Sequence, residues 1–266
     1  MPRQREKQLA YSLIQDEMLN EQGRRTKAAK IVAVTTHFLG TEDLSGLTVV
    51  DVGCSVGFVP EALREHGARA VGVDIDVPGL AAAKERFGQV HFLCTDGERL
   101  PFPDESVDLI VFNQIYEHVV DPYAVMAELR RILKPTGLMY LGLGNRLNVM
   151  EPHHKLPFLS YLPAPLADRY VRAFKKADHY HERFFTRPGL KRLCRGLYVH
   201  EYTWSVLAEA DRFSARDMVP KAFDKVPPAA LRVLQPIMPT FIWVATKTPI
   251  VPKGPALTVP PLRFRA

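Results

Sequence analysis

Cysteine is scarce in this chain. There are three in 266 residues, Cys54, Cys94 and Cys194, and none stands at Cys-x-x-Cys spacing. That scarcity excludes a disulfide-stapled fold and a structural zinc site. Long apolar runs are missing too: no stretch reaches the ~20 apolar residues that a membrane-spanning helix needs. The first residues, MPRQREKQLAYSLIQDEM, lack the apolar centre and small-residue cleavage site of a secretory signal, so a cytoplasmic location is expected. No internal repeat is visible, which excludes solenoid architectures.

What is present is a globular mixture, 47% apolar and 24% charged, long enough for one large domain or a core domain with a cap. The net charge is +6 and it is uneven. Basic residues gather at Arg24, Arg25, Lys27 and Lys30, then between Arg169 and Arg195, then at Lys253, Arg263 and Arg265. Such surfaces attract phosphates, nucleic acid or acidic lipid headgroups, or simply keep the chain soluble.

Residues 8–39 carry apolar side chains at helical spacing, with Gly23 placed to break the run into two helices. LTVVDVG (47–53) then reads as a buried strand ending in a glycine turn, and residues 56–66 as a helix. Further strands are expected at 68–76, 90–95, 107–113 and 137–144, with helices opened by Pro78 and by the Asp121–Pro122 cap. This alternation predicts an α/β fold with a mostly parallel sheet covered by helices on both faces. After Gly144 the pattern fails over 145–190, where Pro, His and aromatic residues suggest a lid or binding segment. A strand over 198–207, a second irregular insertion at 208–239 and a closing strand at 240–247 follow, then a Pro-rich tail, 249–266, expected to be extended or disordered. The expected division is a helical cap (1–40), a main domain (41–248) and that tail.

The first strand and turn read Asp51-Val52-Gly53-Cys54-Ser55-Val56-Gly57. Gly53 permits a sharp turn; small residues at Ser55 and Gly57 let a ligand approach the main chain and let the helix pack closely. By itself the pattern fits an ordinary tight turn or a nicotinamide-binding fold equally well. Asp74 ends the second strand about 20 residues later, where a carboxylate can accept two ribose hydroxyls. Asp76 suits a helix cap.

Taken together, VVDVGCSVGFVPEAL, VGVDID, CTDGERLPFPDESVDLIVFNQIYEHVVDP and ELRRILKPTGLMYLG resemble the class I S-adenosylmethionine-dependent methyltransferases, in particular the branch containing the ubiquinone-pathway O-methyltransferases. The resemblance runs in order from about Leu47 to Leu143, with echoes in DHYHERFFTRPGL and in the final strand. Ser55 departs from the glycine many members carry. The resemblance implies a Rossmann-like seven-stranded fold with S-adenosylmethionine as cofactor and S-adenosylhomocysteine as product. It implies that Asp51, Gly53, Cys54, Ser55 and Gly57 line the turn and the methionine end. Asp74 would bind the ribose, Ile75 would pack on adenine, and Asp96 would accept from the adenine amine beside Gly97 and Glu98. Asn113 and Gln114 would contact the methionine portion.

A hydroxyl acceptor needs a base in some such reactions, and histidine suits the role near neutral pH. His154 and His179 are the expected substrate-facing residues, with His118 a third candidate that a structural role would explain as well. Glu151, His153 and His154 match no metal-ligand spacing, and no metal is expected. The function implied is methylation of a small-molecule or glycolipid (lipid-linked) acceptor, at oxygen. The alternatives are an RNA methyltransferase, a non-catalytic S-adenosylmethionine-binding protein and a membrane-associated scaffold. No appended RNA-binding module is present, so nucleic acid is not the expected partner; VPPAALRVLQPIMPTFIW beside basic residues leaves peripheral membrane contact open.

Overall fold

The computed structural model describes Leu9, residues 20–219 and residues 232–266. The helix expected ahead of residue 20, and the centre of the second insertion with much of its Pro/Leu stretch, lie outside the described residues.

Strand β1 (Thr48–Val52) pairs in parallel with β2 (Arg69–Asp74) on one side and β4 (Val107–Asn113) on the other. Beyond β2 lies β3 (His91–Cys94), and beyond β4 lies β5 (Leu133–Gly144), both parallel. Beyond β5 come β7 (Thr240–Thr246), antiparallel to it, then β6 (Tyr198–Glu201) and β8 (Leu262–Arg265). The order is therefore β3-β2-β1-β4-β5-β7-β6-β8. The chain leaves β1 toward one edge and returns through β4 toward the other. That reversal opens a crevice at the carboxyl ends of β1 and β4, the place where open α/β sheets bind ligands.

Strand alternation divides the core. Val50, Val52, Ile110, Phe112, Met139 and Leu141 face α4 (Pro122–Ile132) and α6 (Arg187–Leu193). Val49, Leu109, Val111, Leu138 and Tyr140 face the other layer, with α1 (Glu21–Leu39), α2 (Phe58–Glu65) and α7 (Thr203–Ala208). Between β2 and β3, α3 (Val77–Arg86) starts with Asp76 accepting from the Gly79 N–H, as expected for a cap. Among the described residues no helix is long and apolar enough to cross a membrane.

Several local expectations change. Gly23 does not break α1; it sits in the first turn, where the Asn20 side chain accepts from its N–H and starts the helix. Only 198–201 of the expected 198–207 strand is extended; the chain turns at Tyr202 into α7. Helix α4 ends at Ile132 and the chain runs straight into β5, because Pro135 disfavours helix in the residue before it. The first insertion holds a helix of its own, α5 (Ala164–Ala173), whose Ala167 and Val171 bury against Leu156 and Leu159. Its opening, Pro163-Ala164-Pro165, reads as loop yet places proline where a first helical turn tolerates it.

The tail is a structural element rather than a loose end. Lys253 and Gly254 donate N–H to the carbonyls of Phe38 and His37 at 3.0 and 2.9 Å, capping α1. β8 then adds an eighth strand to the seven expected, with the Phe264 ring edge-on to Trp243 at 5.2 Å and the Lys191 ammonium 4.4 Å above it. Phe264→Ala is expected to lower unfolding free energy by about 2 kcal/mol through lost apolar burial. Urea unfolding followed by Trp fluorescence checks this, and an unchanged midpoint would show that β8 adds nothing.

Candidate functional site

The glycine turn after β1 is built from positive-φ residues. Gly53 has φ 83° and Ser55 φ 48°. Gly53 and Cys54 donate N–H to the Val73 carbonyl at 2.8 and 3.1 Å, folding the turn over the end of β2. A Cβ on Gly53 would stand 2.3 Å from Ile115 Cδ1, so the turn also admits the β4 loop. Gly57 lies behind the wall: its missing side chain makes room for Phe92, which packs α2 onto the sheet.

These residues bound a cavity of about 360 Å³, the lower part of the range for small-molecule sites. Asp51, Gly53, Cys54, Ser55, Asp74, Ile75, Asp96, Gly97, Glu98, Asn113 and Gln114 all line it, so the strand tips bring together every expected cofactor residue except Gly57. The Asp74 carboxylate accepts from the Ser55 N–H at 2.7 Å and the Asp76 N–H at 2.9 Å. Asp96 accepts from the Glu98 N–H at 3.0 Å, which shapes the β3 loop. Asn113 packs over Gly142, where a Cβ would meet Asn113 Oδ1 at 1.9 Å.

Burial dominates the electrostatics. It pushes Asp51 up to about 8, helped by the Asp74 charge and opposed by Arg24. Burial raises Asp74 as well, against the Asp76, Ser55 and Ile75 N–H groups. Cys54 is raised well above an ordinary thiol by burial and by Asp51, so it is a packing residue and not a nucleophile. A cleft walled by buried acids suits a ligand carrying positive charge.

One wall was not foreseen. Asn20, Gly23, Arg24 and Lys27 of the α1 amino end line the cavity, and Lys27 Nζ donates to Gln114 Oε1 at 2.9 Å. The basic cluster at residues 24–30 was the only sequence signal, and a solvated face was the readier explanation of it.

The histidines separate. His118 and His153 line the cavity, with ring centroids 4.7 Å apart and edge-on. Glu151, fully buried, pairs its Oε1 with His153 Nδ1 at 2.8 Å and accepts from the His154 N–H at 2.6 Å. His154 turns away into the insertion, where Nε2 lies 3.3 Å from Glu182. His179 pairs with Asp168 at 3.0 Å on a second cavity lined by Arg146, His181 and Arg183. Of the three candidate histidines, then, only His118 lines this cavity, and His153 rather than His154 lines it beside His118. Glu117, 1% exposed, sits beside the pair and is pushed up to about 7 by burial, with His153 opposing. Burial alone would lower His153, but the Glu151 hydrogen bond and the Glu182 and Glu117 charges raise it.

The first insertion is fastened to the β4 tip. Tyr116 Oη donates to the Gly144 carbonyl at 2.6 Å and accepts from the Phe185 N–H at 3.0 Å, and the Arg183 N–H donates to the Glu117 carbonyl at 2.9 Å. Both histidines are thereby held on one wall.

Comparison with known proteins agrees with this geometry. Residues 50–141 match the family described as "Methyltransferase domain". A ubiquinone biosynthesis O-methyltransferase of Rhodopseudomonas palustris (strain BisB5) is 30% identical over 159 residues, 58% of each chain. Among solved structures, a Pyrococcus horikoshii OT3 protein superposes with TM-score 0.56 at 18% identity, over 89% of this chain and 96% of that one. The geranyl diphosphate C-methyltransferase of Streptomyces coelicolor A3(2), solved with Mg2+, geranyl diphosphate and S-adenosyl-L-homocysteine, gives TM-score 0.52 at 17% identity, over 84% and 79%. Among the curated relatives, the R. palustris match spans 58% of that protein's length.

Proposed function

We propose that this chain, whose residues 50–141 match the methyltransferase domain family, is a class I S-adenosylmethionine-dependent methyltransferase that methylates a hydroxyl oxygen of a small-molecule or lipid-linked acceptor. The observation that carries this reading is the junction of two walls in one cavity: the strand-tip acids on one side, His118 and His153 on the other. The O-methyltransferase relative supports oxygen as the atom modified.

S-adenosylmethionine, when bound, supplies an electrophilic methyl group on a sulfonium. The residues fit that ligand. Asp74 and Ile75 line the cavity; in this reading Asp74 accepts both ribose hydroxyls and Ile75 packs on adenine. Asp51 would answer the ammonium, and Arg24 and Lys27, which line the same cavity, would meet the carboxylate. The insertion, anchored through Tyr116, brings His153 to the cleft wall, where it can help to position an acceptor. His118 and His153, with Glu117 buried beside them, are the groups this reading assigns to the acceptor hydroxyl and its proton.

The test is transfer of labelled methyl from S-adenosylmethionine to cell extract separated into small-molecule, lipid, RNA and protein pools. Label is expected in the small-molecule or lipid pool as an alkali-stable methyl ether. Label confined to RNA, or as a methylamine or methyl ester, would overturn the proposal.

A further inference from the structure

We propose that the second cavity, built within the first insertion, binds the phosphate group of a phosphorylated small molecule through Arg146, Arg183, His179 and His181. The site is separate from the cofactor cavity and does not depend on the reaction proposed above.

The cavity holds about 440 Å³, which is within the range of small-molecule sites and more than a bare phosphate fills. Arg146 and Arg183 line it, and among the described residues neither pairs with a carboxylate. Arg146 is aimed by its neighbours. Its Nε donates to the Ser160 carbonyl at 3.1 Å, and Ser160 Oγ donates to the Arg146 carbonyl at 2.8 Å, which leaves the Nη1 hydrogens for a ligand. Arg183 is fixed through its backbone, whose N–H donates to the Glu117 carbonyl at 2.9 Å. Asp168 holds His179 Nδ1 at 3.0 Å, so Nε2 is the nitrogen open to a ligand, and the His181 ring stands 6.0 Å away. Two carboxylates also line the cavity, and both are engaged. Asp168 takes His179 and the Tyr180 N–H at 2.9 Å; Glu182, 4% exposed, lies 3.3 Å from His154. The two arginine charges are the ones left to be answered.

The donors narrow the anion. Arginine forks match phosphate oxygens in pairs, and two arginines with two histidines offer more than the two oxygens of a carboxylate use. Exposed Arg169, Arg172, Lys175 and Lys176, on α5 and just after it, raise the positive potential on this side of the insertion. Leu162 and Phe184 give the cavity an apolar wall for the organic part of the ligand. Phe184 also reaches the cofactor cavity: its ring lies 5.9 Å from that of His153, which lines that cleft. The phosphate therefore has two sources, the acceptor itself or a separate metabolite bound behind the same wall.

The experiment titrates phenyl phosphate into the full chain by calorimetry, with inorganic phosphate and benzoate as comparisons. One equivalent of phenyl phosphate is expected, bound more tightly than either comparison and more weakly as salt rises. Arg183→Gln should weaken it about tenfold, the loss of one charge-assisted contact, and should leave S-adenosylhomocysteine affinity unchanged. Arg146→Gln should do the same and keeps the test valid if Arg183→Gln fails to fold. Lys84→Gln, exposed on α3, should bind as wild type. No saturable binding, benzoate bound as tightly as phenyl phosphate, or wild-type affinity in both arginine variants would overturn the site. Treating cell extract with phosphatase before the methyl-transfer assay separates the two sources. Lost labelling places the phosphate on the acceptor; retained labelling, with phenyl phosphate still bound, assigns it to a separate ligand.

Discussion

Asp74→Ala is expected to weaken S-adenosylhomocysteine binding by about a hundredfold. The carboxylate already accepts from the Ser55 and Asp76 N–H groups, which fixes its plane at the end of β2. Asp74 also lines the cavity. Two hydroxyl bonds to a charged acceptor, at roughly 1.5 kcal/mol each, come to about 3 kcal/mol, or two orders of magnitude in affinity. Asp74→Asn keeps the shape but offers one carbonyl acceptor, so an intermediate loss is expected. Titration calorimetry decides the matter, and wild-type affinity in Asp74→Ala would remove this residue from the site.

The second large effect is on pH dependence. Burial holds Asp51 near 8 in the free protein, so at neutral pH it is mostly protonated. An ammonium group beside it favours the ionised form, and binding then expels the proton. Affinity for the cofactor should rise about tenfold per pH unit from about pH 6 to about pH 8, then level off. Nearly one proton should be released per ligand at neutral pH, visible as different apparent enthalpies in phosphate and Tris buffers. Asp51→Asn should bind more weakly and lose the slope. Stability runs the other way. The folded pKa of Asp51 lies above its unfolded value, so between about pH 4 and about pH 8 the folded state holds a proton that the unfolded chain has shed. The ligand-free protein therefore loses stability as pH rises through that window, and Glu117, pushed up to about 7, adds to the trend over its lower part. A cofactor-induced thermal shift that grows with pH while the free protein weakens would fit both statements; buffer-independent enthalpies would contradict them.

Legibility in the sequence followed the range of the interactions. The glycine turn and Asp74 were readable because strand, turn and helix lie next to one another and each restricts its neighbours. The Asp76 and Asp121 caps were readable for the same reason, each accepting from N–H groups two or three residues ahead. Arg24 and Lys27 were not, because only the packing of α1 on the sheet brings them to the β4 tip. His153 and His154 are neighbours in a segment without periodicity, so nothing local states which one faces the cleft. Glu151 settles that choice, by bonding one ring and the other's backbone. The tail was read as extended or disordered because proline dominates it, and four residues past Pro261 are extended and pair with β6. Pairing of that kind depends on an open edge, which the tail's own sequence does not disclose.

The most direct measurement is a crystal structure of the full chain with S-adenosylhomocysteine bound. The ribose hydroxyls should lie on the Asp74 carboxylate and the adenine beside Ile75. The sulfur should point toward the wall carrying His118 and His153. A ligand seated elsewhere, or one whose sulfur faces away from that wall, would contradict both the assignment of the cleft and the methylation proposed for it.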